Sequence, residues 1–463
     1  MRVFMLGWEF PPFISGGLGT ACYGLTKAMS GLGTDVMFVL PRPVSTPFST
    51  HVRLVSPRPE SPLAAPSTEF RLDEFEHVTF RTVNAQIGNP YQRPEQYKHQ
   101  PQQQTVVAEK KRVTKATVVA SNDPARVAAA GIQATSASPA QTPASASPYG
   151  GDLFAEIQRY AALATEIARN ESFDLVHAHD WMTFPAGLAV AAAKGVPLVV
   201  HVHSTEFDRS GENINQQIYD VERRGMHGAI KVIAVSHLTR NICAHRYGID
   251  PAKVEVVYNA IDMNGNGFDE EQYKIHTDEK IVLFLGRITM QKGPEYFLAA
   301  AKKVLEVIDN VKFVMAGSGD MIRRIIEMAA AMGIGHKVLF TGFLRGSDVE
   351  KVFKMADLYV MPSVSEPFGI APLEAMSLDV PVLISKQSGV SEVVTHALKC
   401  DFWDIDDMAN KIIAVLRHPP LASTLRQHGA FDVRRRSWAD AAKQCIQVYE
   451  TAKGIMTGQP AAV

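Results

Sequence analysis

The sequence predicts an α/β protein with two doubly wound domains, each built on a largely parallel sheet. Short apolar runs alternate with longer amphipathic segments along most of the 463 residues, as they do in repeated βαβ units. The runs form two series, separated at 262–272 by a stretch of glycines, asparagines and acidic residues. We therefore expect an N-terminal domain at 1–264 and a C-terminal domain at 265–437.

Buried strands are expected where a short apolar run is followed by a loop and then by a helical pattern. The N-terminal series is Val3 to Gly7, Val36 to Leu40, Leu175 to His177, Leu198 to Val202 and Lys231 to Val235. The C-terminal series is Ile281 to Gly286, Lys312 to Ala316, Val338 to Thr341, Leu358 to Met361 and Val382 to Ser385. Residues 438–463 are expected to form an amphipathic helix and a tail, and a return to the N-terminal domain is one option for their packing.

Residues 93–150 do not follow this pattern. They are rich in Gln, Pro, Ala and Ser, and they contain no aromatic residue between Tyr97 and Tyr149. Such a composition buries too little apolar surface to offset the conformational entropy of ordering. We predict a disordered insertion within the N-terminal domain.

Composition and charge narrow the class of protein. The chain has 47 Lys and Arg against 48 Asp and Glu, so the basic excess typical of nucleic-acid binders is absent. Its four cysteines lack the close spacing of zinc sites or disulfide frameworks. The apolar run at the N-terminus is too short for a signal-peptide core, and no uncharged apolar run reaches the length of a membrane span. We expect a soluble cytoplasmic protein with reduced thiols and no integral membrane segment.

A glycine-rich loop follows the first predicted strand and precedes a helix. Gly16, Gly17 and Gly19 would let backbone amides approach a ligand at a helix N-terminus, which favours negative charge. A phosphate or a sugar hydroxyl would fit such a loop. A purely structural turn is the alternative.

Two cations lie in the loop after the predicted strand that ends near Gly286. Arg287 and Lys292 are five residues apart, at the strand end where open α/β sheets bind ligands. An Arg fork and a compact Lys charge together suit a diphosphate. Two solvated surface cations are the alternative.

Two carboxylates flank a predicted helix start in SEPFGIAPLEAM at 365–376. If the helix begins at Gly369, the amides of 369–371 can face a phosphate. Glu366 then lies in the preceding loop and Glu374 a little over one turn into the helix. Because carboxylates accept hydrogen bonds from hydroxyls, the stretch predicts a ligand with both phosphate and sugar groups.

Histidines recur at two predicted strand ends. His177, His179 and Asp180 lie in VHAHDW, and His201 and His203 lie in VHVHST. Residues two apart on a strand face the same side, so the two pairs are expected to converge. A metal site, polar pocket residues and hydrogen-bonded structural histidines are all open interpretations.

Together these motifs resemble the retaining glycosyltransferases of family 4, which have two Rossmann-like domains facing across a cleft in the GT-B fold. The resemblance covers nearly the whole chain apart from the insertion. It rests on the motifs SGGLG (15–19), HAHDW (177–181), AVS (234–236), VVYNAID (256–262), GRITMQKG (286–293), GSGD (317–320) and EPFGIAPLEAM (366–376). Glycogen and starch synthases share several of these motifs.

The resemblance implies roles for the C-terminal motifs. Glu366 and Glu374 match the family's paired glutamates, the first meeting the donor sugar and the second the ribose. Arg287 and Lys292 match the cations that hold the donor diphosphate. The residues between the glutamates complete the implied donor site, with Phe368, Gly369 and Ile370.

The resemblance also assigns residues of the N-terminal domain. Gly16 and Gly17 match the loop that closes over the donor, His203 a histidine that contacts the transferred sugar, and Asp180 an acceptor-side polar residue. Glu366, Arg287, Lys292 and His203 are the implied catalytic set. The implied reaction needs no metal, no other cofactor and no enzyme nucleophile, only a nucleotide-diphosphate sugar as co-substrate.

The first loop departs from the pattern of synthases that use ADP-glucose. Residues 14–17 read Ile-Ser-Gly-Gly where those enzymes have Lys-Thr-Gly-Gly, and Thr20 replaces an acidic residue. The acceptor-side loop at 203–211 carries Glu206, Asp208 and Arg209, which either bind hydroxyls or pair with each other.

We expect a retaining hexosyltransferase that moves glucose from UDP- or ADP-glucose to a carbohydrate acceptor such as an α-glucan. A mannosyl- or other hexosyltransferase acting on a cell-envelope or lipid-linked acceptor is the first alternative. A sugar-nucleotide 2-epimerase of the same fold is the second, and a non-catalytic sugar-nucleotide binding protein is a third.

Overall fold

A computed structural model describes residues 1–10, 16–41, 67–70, 78–83, 153–261 and 279–458. The predicted insertion at 93–150 and the predicted domain break at 262–272 lie outside these residues. Within the described parts, the chain forms two sheets covered by helices on both faces.

The N-terminal sheet has eight strands. They are β1 (Arg2–Leu6), β2 (Asp35–Leu40), β3 (Ser67–Phe70), β4 (Val78–Val83), β5 (Leu175–His179), β6 (Leu198–Val202), β7 (Lys231–Ala234) and β8 (Val254–Val256). Their spatial order is β3-β4-β2-β1-β5-β6-β7-β8, and only β3 pairs antiparallel among these strands. Because the strand order reverses at β1, the loops after β1 and β5 open a crevice at the carboxyl edge.

The C-terminal sheet has six parallel strands. They are β9 (Lys280–Leu285), β10 (Val311–Ala316), β11 (Val338–Gly342), β12 (Leu358–Met361), β13 (Val382–Ser385) and β14 (Leu398–Cys400). Their order is β11-β10-β9-β12-β13-β14, so β9 and β12 flank the second reversal point. The two sheets confirm the predicted pair of doubly wound domains.

Helices follow most strands, as βαβ winding requires. Those of the N-terminal half are α1 (Gly17–Gly31), α2 (Leu153–Arg169), α3 (Phe184–Lys194), α4 (Glu206–Ser210), α5 (Gln216–Gly228) and α6 (His237–Tyr247). Those of the C-terminal half are α7 (Pro294–Leu305), α8 (Ile322–Ala331), α9 (Ser347–Lys354), α10 (Ala371–Ser377), α11 (Ile405–Arg417), α12 (Pro419–Arg434) and α13 (Trp438–Thr457).

Alternating strand residues supply two separate apolar cores in the N-terminal domain, as a pleated sheet requires. Phe4 and Val176 face the core that also contains buried residues of α2 and α3. Met5 and Leu175 face the other core, which contains residues of α1 and α13. The last helix therefore leaves the C-terminal half of the chain and packs on the N-terminal sheet.

The carboxyl edges of the two sheets face each other, and the loops that follow their strands are in direct contact. Ser236, just after β7, donates its hydroxyl hydrogen to the Pro367 carbonyl oxygen at 2.6 Å. Ser365 hydrogen-bonds the Asp208 carboxylate at 2.5 Å. The loops that carry the predicted site therefore meet between the domains.

No helix in the described ranges is both long enough and apolar enough to cross a membrane.

Candidate active site

The two predicted cations follow β9, and the first predicted glutamate follows the neighbouring strand β12. Gly293, at the end of the cation loop, has a φ of +65°, and a Cβ there would lie 2.1 Å from the Pro362 carbonyl oxygen. Only glycine allows this approach without a shift of the backbone. The loop thus lies directly against the chain segment that leads to Glu366.

Lys292 and Glu366 form an ion pair, with Lys292 Nζ on Glu366 Oε2. Ser363 donates its hydroxyl hydrogen to the same oxygen at 3.1 Å, and Glu366 is only 6% exposed. The Glu366 amide donates to the Gln387 carbonyl at 2.9 Å, and its carbonyl accepts from the Gly389 amide at 2.9 Å. These bonds fix both the backbone and the carboxylate of Glu366.

The helix after Glu366 begins later than its sequence predicts. It starts at Ala371 instead of Gly369, because Gly369 takes a φ of +95°, outside the helical region. Within the described residues, the amides of 369–371 donate to no backbone carbonyl. They remain available to a ligand, but as amides of a turn leading into the helix.

Glu374 differs from Glu366 in its partners. Its carboxylate makes no hydrogen bond or ion pair with any other described side chain, and burial raises its pKa. The intervening residues are packed inward: Phe368 is 3% exposed, and Ile370 contacts cores of both domains. Phe368 and Ile370 can therefore support a donor site mainly through their backbone and packing.

A buried carboxylate from the N-terminal domain lies opposite these groups. Gly16 is the N-cap of α1, and a Cβ on Gly16 would lie 2.9 Å from Glu9 Oε2. The Gly19 amide donates a hydrogen bond to the Glu9 carboxyl group. Burial raises the pKa of Glu9 to about 7, against the opposing effects of the Arg287 charge and the Gly19 amide. Gly17 has open space where a side chain would stand.

The second N-terminal segment is held by an aspartate with unusual backbone geometry. Asp180 has a φ of +59°, and its Oδ1 accepts from the His203 amide at 2.7 Å and the Ser204 amide at 3.3 Å. Burial raises the pKa of Asp180 to about 7 against these two bonds, and burial lowers the pKa of His203 to about 3. Asp180 therefore positions the loop that carries a neutral His203.

The histidines of β5, of β6 and of the loop after β6 converge, as their spacing predicts. His203 Nε2 lies 2.9 Å from His179 Nδ1, and His177 Nδ1 lies 2.6 Å from the Tyr449 hydroxyl. His177, His179 and His201 are the described residues whose side-chain nitrogens are close enough together to hold a metal ion.

Comparison with known sequences places this site in a family. Residues 266–430 match the model of glycosyl transferases group 1, and residues 111–264 match that of glycosyltransferase family 4. An uncharacterized glycosyltransferase of Methanocaldococcus jannaschii is 34% identical over 62% of this chain and 77% of its own length. The chain is a family 4 glycosyltransferase.

Two further proteins are similar to this glycosyltransferase along most of its length. The glycogen synthase of Mycobacterium tuberculosis is 26% identical over 98% of this chain and 95% of that protein. The solved structure of Anabaena HepE in complex with UDP-glucose covers 97% of this chain and all of that one, with 17% identity and a TM-score of 0.60. The structural likeness supports the GT-B fold.

The predicted acceptor-side charges of the glycosyltransferase engage one another. Arg209 donates to Glu206 at 3.1 Å and to Glu222 at 2.5 Å, and all three side chains are less than one-tenth exposed. Asp208 Oδ2 accepts from the Thr205 amide in a capping box on α4, while Oδ1 accepts from Ser365. The structure therefore shows the pairing alternative for Glu206 and Arg209, whereas Asp208 bonds Thr205 and Ser365 instead. Direct contact of these residues with an acceptor stays a prediction.

Of the predicted residues, the structure brings Glu366, Lys292 and Arg287 into one corner of the glycosyltransferase, with Gly16 and Gly17 opposite. Sequence reasoning missed Glu9 and the buried Glu222. Glu9 does have a signal in sequence, since it follows β1 at the carboxyl edge where α/β sheets bind ligands.

Proposed function

We propose that this glycosyltransferase moves glucose, with retention of the anomeric configuration, from UDP- or ADP-glucose to a carbohydrate acceptor of the α-glucan class. The observation that carries the proposal is the Lys292–Glu366 ion pair beside Arg287, where the C-terminal strand order reverses. An anion-binding cation and a hydroxyl-binding carboxylate in contact suit a ligand in which a phosphate is bonded to a sugar.

Charge development explains what these residues do. When the bond from the sugar to the diphosphate breaks, negative charge grows on the diphosphate and positive charge on the sugar ring. Arg287, Lys292 and the turn amides of 369–371 stabilise the leaving diphosphate. Each well-aimed donor of this kind is typically worth about 3 kcal/mol in the transition state. Neither a metal nor a covalent enzyme intermediate is needed for this step.

The two glutamates take different parts of the donor. Glu366 is held by Lys292 and Ser363, so its carboxylate is already oriented to accept from sugar hydroxyls. Glu374 has no competing partner among the described side chains, which leaves its oxygens for the ribose hydroxyls. Neutral His203, on the loop held by Asp180, contacts the transferred sugar from the opposite domain.

The relatives support the choice of glucose. The long alignment with a glycogen synthase supports an α-glucan acceptor, and the HepE complex supports UDP-glucose as donor. The departures at 14–17 and Thr20 favour UDP-glucose over ADP-glucose in the first experiment.

The test measures nucleotide release by the purified full chain from UDP-glucose, ADP-glucose and GDP-mannose, with and without a maltooligosaccharide. We expect release from a glucose donor that the oligosaccharide stimulates, and an α-linked product by NMR. In Glu366→Gln, kcat/KM should fall at least about 100-fold, because the neutral amide loses the ion pair with Lys292 that orients the carboxylate toward the donor sugar.

Glu327→Gln is the matched control, because Glu327 is exposed on α8 and pairs only with Arg323 among the described residues. It should retain full activity. If the enzyme released nucleotide only from GDP-mannose, mannose and not glucose would be the transferred sugar. Epimerisation of the sugar nucleotide without transfer would overturn it.

A further inference from the structure

Three histidines fill one corner of the core beneath the His203 loop. His177, His179 and His201 are each at most 2% exposed, and one nitrogen from each lies within 4.8 Å of the other two. His179 is paired directly with His201 in the β5–β6 register, and His177 precedes His179 by two residues. All three side chains therefore project from the same face of the sheet.

These rings leave nitrogens without partners. His177 Nε2, His179 Nε2 and both nitrogens of His201 are buried and make no hydrogen bond to any residue that the structure describes. A buried polar atom without a partner costs free energy and calls for an explanation such as a bound water or ion. Four such atoms in one cluster are more than packing alone accounts for.

His177 and His179 each use their second ring nitrogen, Nδ1, in a contact of the kind that metal-ligating histidines usually make. His177 Nδ1 contacts the Tyr449 hydroxyl at 2.6 Å, and His179 Nδ1 contacts His203 Nε2 at 2.9 Å. A metal-bound imidazole almost always uses its second nitrogen in such an outer contact, which fixes the ring and its tautomer. Both contacts leave the Nε2 atoms without a partner among the described residues.

We propose that His177, His179 and His201 form a structural site for a divalent transition-metal ion of the zinc class. The ligands are Nε2 of His177, Nε2 of His179 and one ring nitrogen of His201. Neutral imidazole is a good ligand for such ions, and it matches a site without carboxylates. Since Nε2–metal distances are about 2.0–2.1 Å, binding draws the nitrogens closer together. The His177 and His201 rings lie 9° from parallel, so binding also turns a ring about its broad χ2 torsion.

The site has a consequence for the loop above it. If a metal occupies Nε2 of His179, the proton of that ring is on Nδ1 and is donated to His203 Nε2. His203 then carries its own proton on Nδ1, which makes that atom a hydrogen-bond donor. The metal takes no part in glycosyl transfer and acts by holding the sheet edge and the His203 tautomer.

The test uses the full chain without a histidine tag, stripped with a chelator and titrated with Co²⁺ and, separately, Zn²⁺. We expect about one ion per chain, a visible Co²⁺ spectrum of nitrogen ligation, and a melting temperature raised by Zn²⁺. His201→Leu should abolish all three effects. His245→Gln is the matched control, because His245 is exposed on α6 of the same domain, and it should bind as wild type.

The ring of His201 makes no hydrogen bond to any described residue, so a leucine of similar bulk leaves no polar partner stranded and the variant is expected to fold. Tyr449→Phe supplies an independent readout, since it keeps the ring but removes the outer contact of His177. We expect metal affinity to fall by roughly 10- to 100-fold. Absence of a Co²⁺ spectrum in the wild type, or a spectrum unchanged in both variants, would overturn the proposal.

Discussion

At the scale of single residues, Glu9 shows how one buried carboxyl group can couple donor binding to pH. The group lies at the N-terminus of α1 under the influence of Arg287, with a pKa of about 7. Ionised Glu9 opposes a diphosphate bound near Arg287, whereas protonated Glu9 does not. The charge state that favours the donor is therefore present below pH 7 and is lost as the pH rises through that value.

We predict that the Kd for UDP-glucose increases with pH above about 7, by up to about tenfold per unit if only the protonated form binds. The phosphates of a sugar nucleotide do not titrate in this range, so the slope reports the protein. Glu9→Gln should bind with a nearly constant Kd. Calorimetry of the two proteins between about pH 6 and pH 8 checks this. Equal slopes for both would assign the dependence to another group.

The same residue shows what sequence can and cannot provide. The paired glutamates and the two cations are recognisable because each follows a predicted strand and belongs to a family motif. Glu9 belongs to no such motif. Burial raises its pKa against the charge of Arg287 from the other domain, and both effects arise only in the folded chain. The engagement of Arg209 with Glu222 is likewise a product of tertiary packing.

At the scale of elements, the docking of α13 on α1 depends on one glycine. A Cβ on Gly24 would lie 2.2 Å from Cε2 of the Trp438 indole, which is itself 6% exposed. The rest of the interface is apolar and buried, including Tyr449 and Ala442. The helix that ends the described chain is therefore fixed to the first helix by close packing.

We predict that Gly24→Ala lowers the free energy of unfolding by about 1–3 kcal/mol, because a rigid indole must move to admit the methyl group. Urea denaturation followed by circular dichroism measures the change. Gly31→Ala is the control in the same helix, since a Cβ there meets nothing within 4 Å. It should be neutral or stabilising by up to about 1 kcal/mol. Equal stability of the two variants would contradict the packing argument.

The pattern of apolar runs predicts most of the secondary structure. The ten predicted strands are all present, but β3, β4, β8 and β14 are not predicted by the sequence. For β8 and β14 the reason is that runs of three residues carry little periodicity. The start of α10 was placed two residues early, because the sequence gives no sign that Gly369 has a positive φ. The return of α13 to the N-terminal sheet is set by tertiary contacts that periodicity does not specify.

At the scale of the whole molecule, the two domains are joined at their carboxyl edges by polar contacts close to the site. The Glu392 carboxylate accepts from the His237 amide at 2.9 Å and the Leu238 amide at 2.8 Å. It thereby caps the N-terminus of α6 in the other domain. Gly389 lies against Ser236, where a Cβ would approach the serine Cβ to 2.5 Å. These contacts hold the domains closed around Glu366 and Lys292.

Removing the Glu392 cap should shift the closed arrangement toward an open one. An exposed cap is worth about 1 kcal/mol, which changes a closed-to-open ratio roughly fivefold. For Glu392→Ala we expect a larger radius of gyration by X-ray scattering without donor, and a raised KM for UDP-glucose. Since the described hydrogen-bond partners of Glu392 are His237, Leu238 and Tyr258 and include no proposed diphosphate ligand, kcat at saturating donor should change little.

The control is Glu350→Ala, which removes an ion pair with Lys354 inside α9. Among the described residues, this ion pair does not reach the other domain. It should leave the radius of gyration and the KM unchanged. If Glu392→Ala lowered the melting temperature but left scattering and KM as in wild type, the cap would serve folding alone. A fall in kcat with an unchanged KM would instead place Glu392 in the chemical step. The combination of a wider molecule and a raised KM is what only a role in closure produces, because closure completes the donor site from both domains.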